Sequence, residues 1–231
     1  MAGSKGGRGG RGGAGTTVST TAKTQAGNEI DLTENPLKYG SDDPAVTGTM
    51  RSNIEAWESK RITNKIEYGQ LYKTDGTPLG AERRGGKSGV LFITRLYEQA
   101  QAWSHTHPRS GDEEGMLGGT FSKEDLIDFG KNAPPTARAA TAEGTYSITR
   151  GAKFDETGFR SWLTSEYENP MKDHSTRMAQ ATVDCVNGKI TYSEWEKAQI
   201  QSFNRALVET HNALLANQKK YGYFYTLEKR R

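Results

Sequence analysis

Apolar and polar positions follow two rhythms along this chain. From about residue 50, Ile54, Trp57, Ile62 and Ile66 recur at loosely helical intervals, and Ile66-Glu-Tyr-Gly-Gln-Leu-Tyr72 then alternates in the manner of a strand. Thr74-Asp-Gly-Thr-Pro78 separates that run from a second extended run at Leu79 to Glu82 and predicts a tight hairpin turn. Val90-Leu-Phe-Ile-Thr94 is a compact apolar run and predicts another strand. Glu98 to Ser104 leads into His105-Thr-His107-Pro108, which the pattern places at a strand end because Pro108 removes a backbone donor and stops pairing. Ser122-Lys-Glu-Asp125 has the form of a helix start, with Ser122 as the cap and Leu126, Ile127 and Phe129 on the buried side. Toward the C-terminus, Trp195, Ala198, Phe203, Ala206, Leu207, Thr210 and Leu214 recur at three- and four-residue steps and predict a helix from about Tyr192 to Lys219. Gly188 makes the turn before it, with Thr191 or Ser193 as the cap. The aromatic run from Tyr221 to Leu227 predicts a closing strand.

The first 45 residues have a different composition. They open with a run of glycines broken by Arg8 and Arg11 and continue through Ser/Thr-rich sequence to Pro36 and Pro44. So few large apolar side chains cannot offset the entropy of ordering glycine, which predicts a disordered arm over residues 1–45. Arg8 and Arg11 offer weak nucleic-acid contact, but no aromatic residue precedes Tyr39, so a flexible tail fits the composition better than a stacking arm. Residues 46–231 then predict one domain, divided into a core over 46–150 and a helical extension with a final strand over 151–231. A net charge of +3 names no partner, and the single cysteine, Cys185, excludes an intrachain disulfide. With no apolar run at the N-terminus and no long apolar stretch later, neither a Sec-type signal nor a membrane span is expected. The expected setting is the cytoplasm, or delivery by a non-Sec route.

Chemistry concentrates in one place. The chain holds 4 histidines, and two of them, His105 and His107, stand one residue apart. On an extended segment, side chains at i and i+2 share a face, so both imidazoles can reach one ion, whereas a helix would splay them. A later aspartate, Asp125, completes three ligands for Zn2+ and leaves one position for water, the pattern of a hydrolytic metal. Other motifs fail. The run ending in Gly86-Lys-Ser88 has Ala81 where a phosphate-binding loop needs glycine. An EF-hand over Val183 to Glu194 would have Val183 and Cys185 as ligands. Zinc deaminases need a Cys-x-x-Cys run, and one cysteine cannot supply it. His174 in a polar segment and His211 on an apolar helix face read as structural.

His-x-His-Pro followed by Ser-x-x-Asp resembles the metal signature of the JAMM (JAB, MPN-plus) zinc metallopeptidases, and the bacterial and phage effector or toxin domains of that family more than the eukaryotic deubiquitinase subunits. The family also carries an upstream glutamate in a Glu-x-Gly-x-Leu setting, matched by Glu67-Tyr-Gly-Gln-Leu71, with Glu82 as the reserve. The match spans about residues 62 to 150, and Gly144 to Ile148 is placed like the strand after the metal-binding helix. The resemblance implies an α/β fold, a JAMM-like (cytidine-deaminase-like) curved sheet flanked by helices. It implies His105, His107 and Asp125 as zinc ligands, Glu67 as general base and Ser122 as oxyanion donor, acting on a peptide or isopeptide bond of a protein or peptide substrate such as a ubiquitin-like modifier. Thirteen residues separate Pro108 from Ser122 against about seven in the family, an insertion whose loop-closure cost is small. The competing expectation is a nucleic-acid-binding or interaction module acting through the Gly/Arg arm, with a non-catalytic JAMM-like scaffold behind it.

Overall fold

A computed structural model describes residues 16–23, 29–86, 94–107, 115–131 and 134–230. In chain order the elements are β1 (Thr17–Ser19), β2 (Thr21–Lys23), β3 (Glu29–Asp31), β4 (Leu37–Tyr39), α1 (Gly48–Arg61), β5 (Tyr68–Tyr72), β6 (Pro78–Arg84), α2 (Thr94–Tyr97), β7 (Ala102–Thr106), α3 (Lys123–Lys131), β8 (Thr136–Ala140), β9 (Thr145–Arg150), α4 (Glu156–Ser165), α5 (Asn169–Val186), α6 (Tyr192–Tyr221) and β10 (Tyr223–Glu228). Six strands form one mixed sheet in the order β10-β9-β8-β7-β5-β6, so the expected α/β class holds. Its one parallel pair is β7 with β8, and α3 lies in the connection between them. The other pairs are antiparallel.

Local chemistry explains several elements. Asp75 accepts the backbone N–H and hydroxyl of Thr77, and Gly76 takes a φ of 81°, which closes the β5–β6 hairpin as expected. The helix α6 starts at a full capping box between Thr191 and Glu194 and stops at Gly222, whose φ of 71° is left-handed. The β10 strand pairs with β9 across the whole length of both, from Tyr223 opposite Arg150 to Glu228 opposite Thr145.

The two faces of the sheet differ. One face carries Leu71, Trp103, Ala137, Ala139, Tyr146 and Ile148 in a core that also holds Leu126 and Phe129 of α3, Phe159 and Leu163 of α4, and Val208 and Leu214 of α6. The other lies under α1, where Met50 and Ile54 pack with Tyr72 and Ala102. A buried ionic network continues that second face. Arg138 reaches Glu58 through Nε (2.9 Å) and Nη2 (3.2 Å) and sits 3.0 Å from Glu228, while Ser104 donates to Glu58 and Arg51 donates to Glu228. Charges removed from water in this way hold only while every member is paired.

Two expectations are corrected. Residues assigned to a disordered arm form β1 to β4, and Ile30, Leu32, Leu37 and Tyr39 are buried in the main core. Asp43 accepts hydrogen bonds from Ser147 and Thr149 of β9, so the ordered part begins well before residue 46. Residues 1–15, with Arg8 and Arg11, lie outside the described residues. Helical periodicity through Ile66 is also too long: α1 ends at Arg61, with Ile62 as its C-cap. Of the expected strand at 90–94, residues 90–93 lie outside the described residues, and Thr94 opens α2, whose Leu96 and Tyr97 pack on the core.

Candidate metal centre

All five residues of β7 are buried, and alternation sorts them. Ala102, Ser104 and Thr106 go to the α1 face, and Trp103 and His105 to the face under α3. His107 follows at the strand's end, its N–H donating to Ala140 O at 3.0 Å. The cluster forms because Asp125, in the first turn of α3, comes down onto this end of β7. The Nε2 atoms of His105 and His107 lie 2.9 Å apart, and Asp125 Oδ2 lies 3.4 Å from the first and 3.6 Å from the second. Bond lengths of about 2.0 to 2.2 Å in a tetrahedral zinc site put ligand atoms about 3.3 Å from one another, so the donor set fits that ion. Among the described residues, these three form the one group of histidine, cysteine and carboxylate side chains able to hold a metal.

Glu67 immediately precedes β5. The register that pairs Gly69 with His105 and Gln70 with Ser104 carries Glu67 to the position opposite His107, on the same face of the sheet. Its side chain is buried, and burial pushes the carboxyl above its ordinary value; Asp125 adds to the rise, while His107 and His105 pull it back. Asp125 behaves in the opposite way. Burial alone would raise it, but the charge of His105 and hydrogen bonds from both imidazoles hold it well below the usual carboxylate range. For His107, burial is outweighed by Asp125, with help from Glu67 and the carbonyl of Gly119, and the imidazole is raised. Two carboxyls of one neighbourhood are thus pushed in opposite directions, Glu67 up and Asp125 down.

Each side chain of the cluster is held by a different device. Ser122 donates from Oγ and from its backbone N to Asp125 Oδ2, both at 2.8 Å, and its Oγ accepts from Asp125 N at 3.1 Å. This is the reciprocal cap expected at the helix start, and it also orients the carboxylate. His107 Nδ1 lies 3.3 Å from Gly119 O, an acceptor that favours a proton on Nδ1 and leaves Nε2 facing the cluster. His105 Nδ1 is buried without a hydrogen-bond partner among the described residues; its ring is stacked on Trp103.

Other candidate residues make contacts of their own. Glu82, the reserve base, sits on β6 and receives Arg61 Nε and Nη2 at 2.8 and 2.9 Å and the Trp57 indole at 2.5 Å, which ties it to α1. His211 accepts from Tyr225 OH at Nδ1 (2.8 Å) and donates from Nε2 to Lys38 O (2.9 Å), a structural histidine between α6, β10 and the N-terminal segment. His174 meets Ser202 across α5 and α6. Pro108 and residues 109–114, with Asp112 to Glu114 of the inserted spacer, lie outside the described residues. Sequence reasoning missed Trp103, Gly119 and Glu143 as supports of the ligands. A Gly-Gly pair just before the helix start was the one signal available, since a backbone that must approach closely has no room for Cβ.

Comparison of the chain with protein-family models, with curated proteins and with solved structures finds no match in any of the three.

Proposed function

We propose that the chain is a zinc-dependent hydrolase of peptide or isopeptide bonds of the JAMM type, acting on a protein or peptide substrate. One observation carries this reading: a buried glutamate with a raised carboxyl stands across the sheet from a His-His-Asp cluster of metal-ligand spacing. A structural zinc needs four closing protein ligands and no base; here a three-residue cluster has a further carboxyl on the same face of the sheet. His105, His107 and Asp125 would hold the ion. When bound, zinc supplies a Lewis acid that lowers the pKa of water toward about 7 and polarises a carbonyl.

The chain's own groups supply the rest. Glu67 takes a proton from the attacking water and passes it to the leaving amine, a task that a carboxyl raised by burial serves better than an ordinary one. Asp125, held ionised, adds the negative charge that two neutral imidazoles lack. Ser122 stands as the oxyanion donor, its hydroxyl exchanging Asp125 for the charge that develops on the carbonyl oxygen.

Metal content of the purified full chain, with hydrolysis of amide-linked protein and peptide substrates, tests this. One equivalent of zinc is expected in the wild type and in Glu67→Gln, with hydrolysis lost by a factor of about 10² to 10⁴ in the latter, and zinc is lost in His107→Ala. Wild-type protein that takes up no stoichiometric zinc on reconstitution would sink the proposal.

A further inference from the structure

His107 is tied down at two atoms, and both ties lead to one short turn. Its backbone N–H donates to Ala140 O, the last residue of β8, and its Nδ1 meets Gly119 O. The Gly118–Gly119 segment is in turn clasped by Glu143, in the turn between β8 and β9. Glu143 Oε2 accepts Gly118 N–H at 3.1 Å and Oε1 accepts Gly119 N–H at 2.9 Å. The clasp is buried, and its carboxylate also accepts from Tyr146 OH at 3.2 Å. Tyr39 OH donates to Glu143 O at 3.0 Å and fixes the turn's main chain from the N-terminal segment.

The close approach is one only glycines permit. A Cβ on Gly118 would lie 2.7 Å from Thr141 Cβ, and a Cβ on Gly119, whose φ is 84°, would lie 2.9 Å from Leu207. A carboxylate presents two acceptors to two successive N–H donors, so the clasp fixes the two peptides that lead into Gly119 and anchors the point from which the next peptide, carrying Gly119 O, departs toward His107. That carbonyl is what selects the His107 tautomer.

We propose that Glu143 is a positioning residue for the metal centre, acting through Gly119 O to hold His107 as the Nδ1–H tautomer with Nε2 free for the ion. The inference rests on the reading of His107 as a zinc ligand. Glu143 stands outside the cluster of His105, His107 and Asp125; the β8–β9 turn, through Ala140 and Glu143, sets where His107 stands and which nitrogen it offers. Outer-shell partners of this kind change metal affinity by about 10- to 100-fold when altered.

Glu143→Gln is the test, because an amide keeps one acceptor and turns its NH2 against the second backbone N–H. Zinc affinity of the full chain is measured by chelator competition. The His107 tautomer is read from imidazole nitrogen shifts of the zinc-free protein, at a pH where the ring is neutral. The expected result is wild-type His107 in the Nδ1–H form, a tautomer mixture in Glu143→Gln, and a loss of zinc affinity of about 10- to 100-fold. Glu143→Gln with zinc affinity within about threefold of wild type and an unchanged tautomer would overturn the proposal. If the variant fails to fold, an Nε2–H form of His107 in the zinc-free wild type overturns it alone, and an Nδ1–H form that becomes mixed in Tyr146→Phe supports it. A wild type that binds no zinc while its His107 tautomer still depends on Glu143 would end the hydrolase reading and leave the positioning relationship standing.

Discussion

Trp103 lies flat against His105, with ring centroids 4.4 Å apart and planes 11° from parallel. Residues i and i+2 of one strand share a face, so the stack follows directly from the alternation of β7. If His105 holds zinc as proposed, the stack takes over a task that a hydrogen bond performs for most metal-ligating histidines, because His105 Nδ1 has no such partner among the described residues. Trp103→Leu is therefore expected to cost about 2 to 4 kcal/mol of stability through the lost ring. It should also weaken zinc binding by about 10-fold or more. Trp103→Phe, which keeps a ring in the stack, should bind zinc nearly as the wild type does. Chelator competition on both variants decides: equal zinc affinity in Trp103→Leu and wild type would show that packing elsewhere orients His105.

Ser122 carries two roles that separate on measurement. As the cap of α3, its replacement by alanine should cost about 1 kcal/mol, read as a shift in the denaturation midpoint. As an oxyanion donor, it should cost a further factor of about 10² to 10³ in kcat with little change in KM. A Ser122→Ala protein with the expected stability loss and undiminished kcat would reduce Ser122 to a helix cap.

His211 predicts a pH dependence of stability. Burial, only partly opposed by the Lys38 carbonyl, lowers its imidazole to about 4, so it is neutral in the folded protein under ordinary conditions. The unfolded chain titrates near 6.5 and binds the extra proton first as pH falls. Stability from this residue is complete above about pH 6.5, is lost between there and about pH 4, and falls no further below, a total of about 3 kcal/mol. His211→Gln can accept from Tyr225 and donate to Lys38 O without titrating. Its stability measured against wild type across pH 4 to 7, both zinc-free, should differ by that slope; parallel curves would show that His211 protonates freely in the fold.

Local patterns carried much of this structure. The Asp75-Gly76 turn, the capped start of α3 and the whole of α6 depend on residues within a few positions of each other, and the sequence displays them. The same holds for the His-x-His strand end and for Asp125 at a helix start, which is why the three residues of the cluster were visible before any fold. What could not be read depends on distance along the chain. Leu37 and Tyr39 sit among polar neighbours and become core only because Tyr39 reaches Glu143 and Asp43 reaches β9. Glu58 continues the buried stripe of Met50 and Ile54, a carboxylate where an apolar side chain is expected, and is tolerated because Arg138 comes to meet it from β8. The clasp of Glu143 on Gly118–Gly119 has the same character: a pairing of a turn with a loop, invisible until β8 and β9 are in place.

The pairing of β5 with β7 has a consequence for how faults in this molecule would show themselves. All three side chains of the candidate metal cluster come from residues 105 to 125, on a strand end and the helix that follows it, while Glu67 arrives just ahead of a neighbouring strand. A one-residue slip of β5 would turn every side chain of that strand over and carry Glu67 to the α1 face, leaving His105, His107 and Asp125 where they are. Such a chain would load its ion normally and stay inert. Metal analysis alone would pass it as sound, so a preparation with full zinc and no turnover would point first to the strand frame and only then to the wrong substrate.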